Sequence, residues 1–182
     1  MQSWDTGFKT GQDNSYSACT TWVETDNGFY LIHAWWDKLT FPNLKRACVD
    51  LYEKFRPNEV LIEDKASGQS LIQELAQNTK VPVKPIKPTG DKAARAHLVT
   101  PLFESGSVYI LDGEDWTQDV IEHAAKFPRT KNTDVIDSIT QALEYLRNGG
   151  HFRYSYHGGS FARGSGKKSI FELEREKHNA GR

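Results

Sequence analysis

Cysteine is scarce: Cys19 and Cys48 are the only two in 182 residues. Their separation offers neither a metal-ligand spacing nor a disulfide framework, so they read as reduced thiols within a core. No apolar run approaches the ~20 residues a membrane span requires. The N-terminus also lacks the basic-then-apolar pattern of a secretory signal. No GxxxxGK[ST] loop occurs, which excludes ATP hydrolysis by that device. Gly7 and Gly11 build no dinucleotide fingerprint, the six histidines lack zinc spacing, and there is no GxSxG nucleophile turn. Strong charge of one sign is missing too. The net charge is −1, which does not advertise a polyanion binder.

What is present suffices for one domain. Hydrophobic residues make up 37% and aromatics 12%, enough apolar side chain to build a real core. Charge is unevenly spread: from His151 onward the balance is +4, so the preceding chain carries −5. Within that acidic body, Lys84, Lys87, Lys92, Arg95, Lys126, Arg129 and Lys131 form a basic stretch. Acid surrounded by base suits a metal site that faces a polyanion.

The hydrophobic pattern predicts strands over residues 2–9, 16–25 and 29–36, the last two joined by a turn at Asp26-Asn27-Gly28. Phe41, Leu44, Cys48, Leu51, Tyr52 and Phe55 follow helical spacing up to Pro57. The run Glu59 to Glu63 reads as a strand buried on both faces. Helices are predicted over 70–77, 91–105, 116–126 and 134–147, with short strands over 81–86 and 108–111. Hairpin-linked strands followed by alternating helices and strands predict an α/β fold: a mixed sheet of five or more strands, flanked by helices. Residues 1–148 make the domain. Residues 149–182, rich in Gly, Ser and basic residues without sustained period, read as a flexible basic tail.

Three acids from separate segments invite chemistry. Asp5 ends the first strand beside Gly7. Glu63-Asp64 ends the buried strand after three apolar residues, and either acid is a candidate. Asp137 lies in the last helix, on the polar face it shares with Asp134 and Gln141. The three converge if the strands ending at Asp5 and Glu63 are adjacent. Hard cations such as Mg²⁺ and Mn²⁺ prefer carboxylate oxygens, and two such ions roughly 3.5–4 Å apart serve phosphodiester cleavage. Each acid also has an ordinary reading: Asp5 as a turn residue, Asp134 as a helix N-cap, Asp137 as a partner of the helix dipole.

The segment Ser3-Trp4-Asp5-Thr6-Gly7-Phe8-Lys9, followed by Asp13-Asn14-Ser15, resembles the opening of the phage large terminase nuclease domain. Val60 to Lys65 is similar to that family's second acidic strand end. Gly90-Asp91-Lys92-Ala93-Ala94-Arg95-Ala96 resembles its basic helix, and Asp134-Val135-Ile136-Asp137-Ser138 its closing helix. The resemblance covers about residues 2–148 and rests on the joint order of four short segments.

The resemblance implies an RNase H-like fold and a two-metal endonuclease, using Mg²⁺ or Mn²⁺, that cuts viral genome concatemers during packaging. Asp5, Glu63 and Asp137 match the metal-binding acids, with Asp5 bridging both ions. Asp13, Asp134 and Asp64 are accessory candidates. Lys92 and Arg95 match the basic helix and are expected against DNA phosphate, with Lys126, Arg129 and Lys131 as further contacts. Implied partners are double-stranded DNA, the ATPase motor domain, the small terminase subunit and the portal. No membrane is implied, and the setting is the host cytoplasm. A junction resolvase or integrase-type nuclease, and a non-catalytic docking module of the packaging motor, are the alternative readings.

Overall fold

The computed structural model describes residues 1–7, 16–88, 90–129, 133–149 and 167–169. Strand β1 (Gln2–Asp5) pairs antiparallel with β2 (Ser17–Thr25), which pairs antiparallel with β3 (Gly28–Asp37). The β2–β3 hairpin turns where Asp-Asn-Gly predicts it. Gly28 has a φ of +135° there, and a Cβ on it would fall 2.3 Å from the Ser107 carbonyl oxygen. Only glycine allows that approach, and the neighbouring Phe29 amide donates to the same oxygen at 2.8 Å.

Helix α1 (Phe41–Phe55) buries Leu44, Cys48 and Leu51, the stripe its spacing predicts. It stops at Arg56, which adopts a φ of 45° directly before Pro57. Next come β4 (Val60–Glu63), α2 (Ala66–Asn78), β5 (Val83–Ile86), α3 (Lys92–Glu104), β6 (Val108–Leu111), α4 (Thr117–Lys126) and α5 (Asp134–Arg147). Helix α2 begins four residues before the predicted start, and α3 runs through Pro101. A last strand, β7 (Lys167–Ser169), pairs antiparallel with β6, so at these residues the segment read as a tail is seated on the sheet. Asp13, Lys131 and the remainder of that segment lie outside the described residues.

Among the described residues the sheet has seven strands in the order β5-β4-β1-β2-β3-β6-β7. Parallel pairing links β1 with β4, β4 with β5, and β3 with β6. The mixed, helix-flanked sheet expected from the element order is therefore present. Each face carries its own core. Trp4, Cys19, Val60 and Ile62 pack with α1 and α2, while Ala18, Trp22 and Leu31 pack with α3, α4 and α5. Both cysteines are buried free thiols. Among the described residues no helix is long and apolar enough to cross a membrane.

At one edge of the sheet, the amides of Val60 and Asp64 donate to Pro82 and Ile86 at 2.9 and 2.7 Å. Residues 82, 84 and 86 therefore turn their backbone polar groups toward β4, and Val83 and Pro85 turn theirs outward. The Val83 amide donates to the Val81 carbonyl at 2.8 Å, and Pro85 has no N–H.

Helix α5 is buried almost all round, its polar residues included. The Ser138 hydroxyl donates to the Ser3 carbonyl at 2.8 Å and meets the Thr20 hydroxyl at 2.7 Å. The Gln141 amide donates to Ser3 Oγ at 3.0 Å and to the Trp4 carbonyl at 3.3 Å. Apolar area holds this helix down, and these bonds fix its position along the strands. Ser138→Ala leaves two buried polar groups short of a partner. It is expected to cost about 1–3 kcal/mol, read as a lowered urea midpoint with an unchanged slope.

Candidate active site

Strand parity brings the first two acids together. The parallel register pairs Trp4 with Ile62, and one residue further it sets Asp5 beside Glu63. Trp4 and Ile62 point into the core under α1 and α2, so Asp5 and Glu63 project from the opposite face, toward α5. Asp137 immediately precedes Ser138, and the bonds of Ser138 to β1 carry its carboxylate over the two strand ends. All three acids border one cavity of about 170 Å³, with Ile86, Lys87, Pro88, Arg95, Gln141, Glu144, Tyr145 and Asn148 completing its wall. The backbone of Glu63 is held from behind: a Cβ on Gly68 would sit 1.9 Å from its carbonyl oxygen, so only glycine lets α2 start this close.

Burial and like charge both act on these acids. Burial, followed by the charges of Asp137, Glu63 and Asp134, lifts the Asp5 carboxyl well above the usual carboxylate range, against the opposing pull of Lys92. Burial likewise raises Asp134. Asp137, only 5% exposed, is compensated on both oxygens. Arg95 reaches Oδ1 at 3.3 Å, and the Lys92 ammonium contacts Oδ2. Burial pulls the Lys92 ammonium down, but its bond to Asp137 and the charges of Asp137, Asp5 and Asp134 more than offset this and hold it above its ordinary value. Glu63 is only partly satisfied. Lys65 Nζ lies 2.5 Å from its Oε1, yet that buried oxygen receives no aligned hydrogen bond.

As these side chains stand, no three Asp, Glu, His or Cys groups among the described residues gather closely enough to hold one ion. The donor set nonetheless fits a hard divalent cation. It consists of carboxylate oxygens, one of them buried with no aligned hydrogen bond, and a lysine ammonium already stands in as the positive charge on Asp137. Asp5, Glu63 and Asp137 are the residues that would hold it.

The remaining expected residues separate cleanly. Asp64 follows Glu63 but does not border the cavity; its amide closes the β4–β5 ladder. Asp134 lies in the first turn of α5, whose N-cap is Thr133, and lines a separate small depression with Tyr16, Trp36 and His123. Lys126 and Arg129 border another depression at the end of α4, and Lys126 pairs with Glu122 at 3.2 Å. Arg95 departs from expectation. The sequence reading sets it against DNA phosphate, but it is 6% exposed and its guanidinium is turned onto Asp137. Seven cavity residues, Ile86, Lys87, Pro88, Gln141, Glu144, Tyr145 and Asn148, carried no site role in the sequence reading. Helical spacing from Asp137 to 141, 144, 145 and 148 marks that face of α5 and could have found four of them. Tyr145 is itself braced, donating to Glu59 at 2.7 Å and accepting from Lys84.

The family model described as Terminase RNaseH-like domain matches residues 2–146, a span that contains all three acids. Among curated proteins none matches this sequence. Among solved structures the chain is similar to the human cytomegalovirus terminase nuclease domain, soaked with manganese and bound to an inhibitor. The TM-score is 0.56 at 13% identity, covering 80% of this chain and 82% of that one. It is also similar to the fowlpox virus resolvase in complex with Holliday junction DNA, with a TM-score of 0.52 at 20% identity, covering 81% of this chain and 98% of the other. At such identities the structural likeness establishes the fold, which is RNase H-like as the resemblance implied. With a family model running from β1 to the end of α5, the chain belongs to the Terminase RNaseH-like domain family.

Proposed function

We propose that this domain is a divalent-metal-dependent DNA endonuclease that cuts viral genome concatemers during packaging. One observation carries the reading: Asp5, Glu63 and Asp137, from two adjacent parallel strands and the helix bonded across them, border a single cavity. Bound Mg²⁺ or Mn²⁺, two ions in the full site, supplies activation of a water and stabilisation of the leaving oxygen. The chain's own residues do the rest. The carboxylates of Asp5, Glu63 and Asp137 hold the cations, and the apolar packing behind Glu63 and under α5 keeps those carboxylates from spreading apart. Lys87 at the cavity wall, and Lys92 once free of Asp137, are the cations placed to meet a phosphate, without regard to base sequence. Arg95 orients Asp137 rather than touching DNA. Lys126 and Arg129 extend the basic surface away from the site.

In this setting the partners are double-stranded DNA, the ATPase motor domain, the small subunit and the portal, in the host cytoplasm. The likeness to a resolvase bound to junction DNA favours a second reading, branched-DNA cleavage. A rate on four-way junctions well above that on linear duplex selects it.

Asp5→Ala and Glu63→Ala are each expected to reduce nicking of supercoiled plasmid at least ~100-fold, while circular dichroism remains that of the native domain. EDTA is expected to abolish nicking and Mn²⁺ or Mg²⁺ to restore it. Wild-type cutting by either variant, or full activity in EDTA, defeats the assignment.

Asp5 also gives a pH signature without catalysis. Its folded pKa lies well above the ordinary aspartate value, so the folded state binds the proton more tightly than the unfolded one. Stability is therefore lost as pH rises from about 4 through the raised folded value. Asp5→Asn escapes this loss. In EDTA it is expected to be more stable than wild type by about 1 kcal/mol or more at pH 8, with the gap shrinking toward pH 4. Thermal melts across that range check it.

A further inference from the structure

Helix α3 presents two cations to Asp137, and they differ in freedom. The Arg95 side chain is 7% exposed and reaches Oδ1 from within the packed interface. The Lys92 side chain is 50% exposed, reaches Oδ2 from the first residue of the helix, and donates a second bond to Thr133 Oγ1 at 2.8 Å. The start of α3 is firmly set, because Asp91 caps it by accepting from the Ala94 amide at 2.7 Å. Lys92 can thus swing away by rotating its own side chain, with no movement of the helix. Arg95 cannot leave without opening the core.

We propose that Lys92 is an exchangeable internal counter-ion: it neutralises Asp137 in the metal-free domain and yields Oδ2 when a divalent cation enters, while Arg95 remains on Oδ1 as a positioning residue. The inference rests on the metal-site reading above. Carboxylates that border one partly buried cavity repel one another, and a resident ammonium on Asp137 removes part of that cost before metal arrives. The consequence is competition. Metal binding has to displace a contact ion pair, so the free domain binds cations more weakly than its carboxylates alone would.

The test measures binding and stability, independently of cleavage. Mn²⁺ affinity is determined by calorimetry, and melting temperature is measured in EDTA and in saturating Mn²⁺. The proteins are wild type, Lys92→Met, Lys92→Gln and Lys87→Met. Lys92→Gln keeps a neutral donor and serves if Lys92→Met folds poorly. Lys87→Met removes one positive charge from the cavity wall itself and reports the general electrostatic effect. Both Lys92 variants are expected to melt below wild type in EDTA, to bind Mn²⁺ roughly tenfold tighter, and to gain a larger metal-induced rise in melting temperature. Lys87→Met is expected to change affinity by less than about threefold. Unchanged affinity in the Lys92 variants, or an equal gain in Lys87→Met, overturns the counter-ion proposal while leaving the metal site standing. Absence of Mn²⁺ binding in every protein overturns the metal site, and this inference with it.

Discussion

The Ser138 hydroxyl, shared between the Ser3 carbonyl and the Thr20 hydroxyl, joins the last helix to the first two strands. Sequence separation across these contacts exceeds a hundred residues, so they form only once the sheet and α5 have come together. Asp137 is the residue before Ser138, and its position over the strand ends follows from that bond and from the Gln141 contacts to Ser3 and Trp4 of β1. The two strand acids need no such device. Parallel pairing of β1 with β4 brings them together automatically, because two strands in fixed register and of equal parity point their last side chains the same way.

This geometry gathers negative charge, and the structure answers it within its own chain. Arg95 is sunk into the interface between α3 and α5, where removing it would leave Asp137 buried and short of charge. Lys92 does the same from the solvent side. Glu63 is less fully answered, its buried oxygen lacking an aligned donor. The proposed exchange of cations would draw on this unequal compensation of the acids.

Much of this was legible in the sequence for a physical reason: strands and amphipathic helices write their periods into the apolar residues. The run Val60-Leu61-Ile62 ending in acids announced a buried strand that stops at a polar site, and Phe41 to Phe55 announced α1. What failed to show was anything decided by tertiary contact. The first turn of α2 carries no apolar repeat and includes Gly68, so its start was read late. Lysine and arginine at Lys92 and Arg95 look alike as basic residues, and nothing local says that one is buried against a carboxylate. The choice between Glu63 and Asp64 was open in sequence because it turns on strand parity, which becomes definite only when Trp4 and Ile62 are seen in the same core. Strand β7 spans three residues, too short for any pattern to mark it.

The outer edge of β5 has a consequence for how these domains keep apart. Of its outward positions, Val83 spends its amide on Val81 and Pro85 has none. A neighbouring chain that approached this side would find carbonyls but no donors, and could not zip up a ladder. Copies of the domain are thereby discouraged from pairing sheet to sheet along β5, the edge strand whose Ile86 borders the cavity.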